Sequence, residues 1–165
     1  MIQYNPYPIF ASSIIPLLVG AIYYNPKVLG TAWMNACGLN EEFLKQANML
    51  KIFGFTFLLG ILLAGFIMPN VLHSLHVFSQ VAEAAPDSPA MRDAIAFYTN
   101  YGGNFLTFKH GVLHGVMTAL FGVWPVLGIV ALFERKSWKY IAIHLGYWVI
   151  VFALMGGVIC AFGVK

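Results

Sequence analysis

The chain has 165 residues, 60% of them hydrophobic, with nine Lys or Arg and six Asp or Glu for a net charge of +3. Charged residues make up 9% of it, against about 25% in an ordinary soluble domain, and the mean hydropathy is +0.78. These figures exclude a water-soluble globule and intrinsic disorder, and leave a membrane protein.

Four apolar stretches follow in order, at about 8–25, 52–80, 104–133 and 140–163. A helix needs about 20 apolar residues to cross the hydrocarbon. The first stretch is at the short limit, and the second and third are long enough to tilt, kink or project. Lys109 is the one charged residue inside any of the four, and near a helix end it snorkels to the interface. The short alternating segments of a β-barrel are absent. The expected fold is an all-α integral membrane bundle of four transmembrane helices, forming a single domain over 1–165. Met1 to Pro8 has no basic residue, so the first span is expected to be retained, not cleaved as a signal peptide.

Between spans one and two, Asn40 is a natural N-cap ahead of Glu41 and Glu42, which suit the positive end of a helix. Phe43, Leu44, Ala47 and Leu50 then form one apolar stripe, so span two is expected to begin near Glu41 as a short amphipathic helix. Between spans two and three, Ser88 followed by Pro89 starts a short helix that ends before Gly102-Gly103. Loop three, Glu134 to Ser137, is so short that spans three and four must be antiparallel neighbours.

Loops one and three hold Lys27, Lys45, Lys51, Arg135, Lys136 and Lys139, against Arg92 and Lys165 on the other side. The positive-inside rule then puts loops one and three in the cytoplasm and both termini outside. Cys37 and Cys160 fall on opposite sides, which excludes a disulfide between them. A weak internal repeat relates Pro16–Lys27 to Pro125–Lys136, as a duplicated helical hairpin would.

The segment Gly20-Ala-Ile-Tyr-Tyr-Asn-Pro-Lys-Val-Leu-Gly30, with Trp33-Met34, resembles the pattern G-x-x-W-Y-S-P-x-x-F-G-x-x-W. That pattern opens a family of small bacterial four-helix membrane proteins, domain of unknown function 1761. Ala47–Gly54, Leu132–Trp138, Gly146-Tyr147-Trp148 and Leu154-Met155-Gly156 extend the likeness over nearly the whole chain. Tyr23, Asn25 and Leu29 depart from the pattern, which has Trp, Ser and Phe there. The resemblance implies four spans and a bacterial inner (cytoplasmic) membrane address, and it implies no reaction.

Function must therefore be sought in polar groups at membrane depth, which are costly unless they serve a purpose. His73 and His76 lie 22 and 25 residues after Lys51, and His114 and His110 lie 20 and 24 residues before Glu134. At about 1.5 Å per residue all four reach one level near the outer interface, each pair on one helix face. Pro69 leaves the carbonyl of Gly65 free, so a bend is expected just before His73. Thr107 and Thr118 extend the span-three stripe, Asn70 and Gln80 the span-two face, and Gly111, Gly115 and Gly122 offer a strip for close packing. Pro16 and Pro125 break spans one and three near mid-membrane.

Three readings compete for the histidine patch. In the first, the imidazoles hydrogen-bond across helices or sit wet in the interface. In the second, His73, His76, His110 and His114 hold Zn, Cu or Fe, or one His from each helix ligates a b-type haem. In the third they conduct protons or substrate. A second candidate pocket on the cytoplasmic side comprises Tyr23, Tyr24, Asn25, Glu134, His144 and Tyr147. No phosphate loop, catalytic triad or basic stretch long enough for nucleic acid appears. The leading expectation is a non-enzymatic accessory or oligomeric scaffold component. It would act in the lipid bilayer as a homo-oligomer or a subunit of a membrane complex. The alternatives are a metal- or haem-binding redox or transport protein and a small oligomeric channel or transporter.

Overall fold

A computed structural model describes residues 3–164; Lys165, counted above among the outer charges, lies outside the described residues. The fold is all-α. Helix α5 (Met49–Val71), the continuous run α8 (Phe108–Thr118), π turn (Ala119–Val123) and α9 (Trp124–Phe133), and α10 (Trp138–Phe162) are each long and apolar enough to cross a bilayer. A fourth candidate is a bent pair that is long and apolar enough only when taken together, α1 (Tyr7–Ser12) with α2 (Ile15–Tyr23), then a π turn (Pro26–Gly30) with α3 (Thr31–Cys37). Its two halves are bent by 58°.

Local chemistry accounts for the breaks. The hydroxyls of Ser12 and Ser13 both donate to the Ile9 carbonyl, at 3.0 and 2.7 Å. Such back-bonding bends a helix, and Pro16, without an N–H, restarts it as α2. Pro125 likewise opens α9 directly after the π turn. Asn25 accepts from the Lys27 N–H and caps the π turn after α2. The expected first span therefore stops close to its expected end, but the chain resumes as a second, tilted helical segment up to Cys37.

Two short helices stand as read from their caps. Asn40 accepts from the Phe43 N–H at 2.8 Å and opens α4 (Glu41–Lys45). Ser88 accepts from the Met91 N–H at 3.2 Å and opens α7 (Pro89–Tyr101). The expectation that α4 runs into span two is corrected: a second cap, Asn48 accepting from the Lys51 N–H, starts α5 afresh. The far limit of span two at Gln80 is also corrected, because α5 stops at Val71 and α6 (Ser74–Ser79) follows after Leu72-His73.

Helix α10 is the centre of the bundle, with Tyr147, Val151, Phe152, Met155, Ile159 and Cys160 buried against α2, α5 and α8. Its contact with α8 is a backbone approach: a Cβ at Gly111 would overlap the Gly156 carbonyl, and one at Gly115 the Phe152 carbonyl. Small residues permit such packing where lipid supplies no hydrophobic drive between helices. Gly122 has nothing within 4 Å, so it is not part of that strip.

Tyr4 bridges Val164, and the Asn5 N–H donates to the Gly163 carbonyl at 2.9 Å. Both chain ends thus meet at one end of the bundle, the terminal end, beside α7. The turn after α2 and loop three lie at the other, the basic end. Leu18, Leu58, Leu62, Phe66, Phe121 and Val126 are all exposed along the flanks. Apolar surface of this extent is not stable against water.

Candidate functional site

At the terminal end, His73, His110 and His114 converge. One ligating nitrogen from each lies within 4.8 Å of the others, the only such grouping of His, Cys, Asp or Glu among the described residues. His73 Nε2 is 2.9 Å from His110 Nε2. The ring centroids are 5.1 Å apart for His73 and His110, 5.0 Å for His73 and His114, and 4.4 Å for His110 and His114. The rings touch one another, so no planar macrocycle fits between His73 and His110 as they stand.

Each imidazole is placed by its helix. Thr107 caps α8, its Oγ1 accepting from the His110 N–H at 3.2 Å. Thr118 Oγ1 donates to the His114 carbonyl one turn on. His73 sits at the break between α5 and α6, where it can face α8 without following the α5 axis. His73 is exposed overall, and partial desolvation of its ring lowers its pKa below the ordinary histidine value, with His114 and His76 lowering it further. The shift favours the neutral ring, the form that ligates metal.

His76 does not join the cluster, although its spacing places it on the same face. In a continuous helix the Pro69 carbonyl would accept from the N–H of His73. The break removes that donor, and His76 Nε2 lies 2.9 Å from the Pro69 oxygen instead. That carbonyl can only accept, so Nε2 carries the proton and His76 acts as a cap of α5. Asn70 also turns back to its own helix, Nδ2 donating to the Phe66 carbonyl.

Two further residues shape the site. Phe105 has a positive φ of 67°, uncommon for a bulky side chain, and its ring packs 5.1 Å from that of His110. The Cys160 thiol is directed at the carbonyls of Phe105 and Val71, at 3.3 and 3.4 Å, and ties this turn to the end of α5. Neither role had a sequence signal: the Cys160 contacts depend on α10 reaching across the bundle, and a positive φ at Phe105 is not marked by its residue type. Beside the cluster, a cavity of about 220 Å³ has His73, Ser74, Phe97, Tyr98, Tyr101 and Phe105 in its wall.

At the basic end, part of the second pocket forms. Tyr24 Oη is 3.4 Å from His144 Nδ1, and the Tyr24 and Tyr147 rings pack at 5.1 Å. Tyr23 donates to the Ile143 carbonyl and Tyr147 to the Pro16 carbonyl, at 3.0 and 2.9 Å, so these hydroxyls staple α2 to α10. Asn25 is used as a cap and Glu134 is exposed; no hydrogen bond among the described residues joins either to His144. The residue missed is Cys37, whose sulfur lies 3.7 Å from His144 Nε2. The Tyr140 ring packs on His144 at a tilt, 4.3 Å between centroids, with Lys136 Nζ 5.7 Å from the Tyr140 ring centroid.

Fold and site define a small helical protein with membrane-length helices and an all-imidazole cluster at the end where its termini meet. The chain belongs to the family described as Protein of unknown function (DUF1761), whose model matches residues 7–160. No curated protein and no solved structure matches it.

Proposed function

We propose that this chain is an integral membrane protein that binds a transition metal through His73, His110 and His114. One observation carries the reading: three imidazole nitrogens, two from α8 and one from the break between α5 and α6, gather within 4.8 Å. In a tetrahedral zinc site, Zn–N bonds of about 2.0–2.1 Å set nitrogens roughly 3.3 Å apart. Small rotamer changes cover the remaining distance. Neutral imidazoles suit Zn, Cu, Fe and Ni, and the absence of hard oxygen ligands disfavours Mg and Ca. The geometry favours metal over the accessory-scaffold reading because a purely structural cluster does not need a third ring aimed at the same point.

The membrane setting rests on the exposed apolar flanks, the three membrane-length helices and the bent fourth pair. The basic residues of loops one and three support cytoplasmic placement of the basic end. The metal site then lies at the opposite interface, with both termini. Elemental analysis of protein purified in mild detergent tests the reading. One equivalent of Zn, Cu, Fe or Ni per chain, lost in His110→Ala, is expected; no metal above trace overturns it.

A further inference from the structure

We infer that the metal held by His73, His110 and His114 keeps an open coordination position, and that the cavity beside it seats a small aromatic molecule whose nitrogen or oxygen fills that position. The inference rests on the metal reading above and goes beyond it by naming a ligand class.

Ligand count is the first argument. Three protein ligands leave a four-coordinate metal one position short, and that is how exchangeable and catalytic sites differ from closed structural ones. No fourth His, Cys, Asp or Glu joins the three among the described residues. His76 is turned to the Pro69 carbonyl and offers no nitrogen to the grouped three, and the Cys160 thiol is buried and directed at the carbonyls of Val71 and Phe105.

The cavity is the second argument. It begins at His73, one of the ligands, and at Phe105, whose ring packs on His110. Its volume of about 220 Å³ exceeds the roughly 150 Å³ that suffices for benzene in an apolar protein cavity. Its wall is dominated by the rings of Phe97, Tyr98, Tyr101 and Phe105. Aromatic walls favour a flat ring that can meet them edge to face or in offset stacking. The site therefore selects one aromatic ring with a metal-ligating atom, such as an azole or a phenol.

Access is the third argument. Phe97, Tyr98 and Tyr101 come from α7, in which Ala94 is the one buried residue. The helix is held on α6 by the edge contact of Tyr98 with Phe78, at 5.7 Å between centroids. A helix so lightly attached opens at low cost, and its movement exposes the cavity without disturbing α8 or α10.

The test uses the full chain in detergent micelles loaded with Co²⁺, whose visible d–d bands report coordination. The bands are expected in the parent protein and not in His110→Ala. Azide should shift them, and phenylimidazole should bind about ten-fold more tightly than imidazole. Val77→Phe, which fills the cavity away from the metal ligands, should abolish that ten-fold preference and leave the azide shift. Cobalt bands that respond to neither azide nor phenylimidazole overturn the open position while the metal site stands. An azide shift without a preference for phenylimidazole, or a preference that survives Val77→Phe, overturns the aromatic seat. Failure to bind cobalt overturns the metal reading itself, and this inference with it.

Discussion

His73 Nε2 and His110 Nε2 stand 2.9 Å apart, on residues 37 positions distant in sequence. Two imidazole nitrogens at this separation cannot both carry protons, nor leave both lone pairs unshared. Either a single proton lies between them or a cation replaces it. Metal binding at both Nε2 atoms therefore moves that proton to a ring Nδ1, and affinity is lost where acid protonates the imidazoles.

The pH effect has a definite sign. The His73 pKa is lowered from 6.5, first by burial and then by His114 and His76. Below pH 6.5 the unfolded chain takes up a proton that the folded chain resists. Stability from this group is present above that value and is lost as pH falls toward the lower folded pKa. Metal affinity, which depends on the folded chain alone, falls only as pH drops further, through the lowered folded pKa. Thermal unfolding and zinc titration down to pH values below it should show stability lost first and affinity second, and His73→Ala should flatten the stability profile.

His76→Ala separates the cap from the ligands. It removes a bond to the Pro69 carbonyl, which costs roughly 0.5–1.5 kcal/mol for a single hydrogen bond. Zinc affinity should stay within about two-fold, since His76 touches no ligand nitrogen. A loss as large as that of His110→Ala would place His76 in the site.

The contact of α8 with α10 has a sharp steric test. Gly115→Ala sets a methyl against the Phe152 carbonyl and should cost about 1–3 kcal/mol, as overpacking does. Gly122→Ala meets open space and should be neutral or slightly stabilising. Melting temperatures in one detergent compare the two directly.

The cysteines should differ in reactivity. Cys160 is 1% exposed and bonded to two carbonyls, whereas Cys37 is half-buried at the basic end. A small alkylating reagent should modify Cys37 in the folded protein and reach Cys160 only after unfolding, as read by peptide mass mapping. Equal rates for the two would contradict the packing of α10 against the Phe105 turn.

Much of this was legible from residue order. Apolar runs locate the crossings, and Asn40 and Ser88 mark two helix starts because capping is a local interaction. The joint depth of His73, His110 and His114 follows from helical rise alone. The end of α5 does not, because Pro69 only weakens the helix. The outcome depends on whether another donor takes the freed carbonyl, and His76 does so from the next helix. The same competition removed Asn25 from the second pocket: its side chain found a nearer N–H at Lys27. Cys37 meeting His144 was invisible for the opposite reason, since nothing local links residues 107 positions apart.

The most direct measurement of the central reading is a calorimetric titration of the purified chain with Zn²⁺, beside the His73→Ala, His110→Ala and His114→Ala variants. A three-imidazole site requires one zinc per chain in the parent protein and a steep loss of affinity in every variant. Binding that is absent from the parent, or equal in all four proteins, would contradict it.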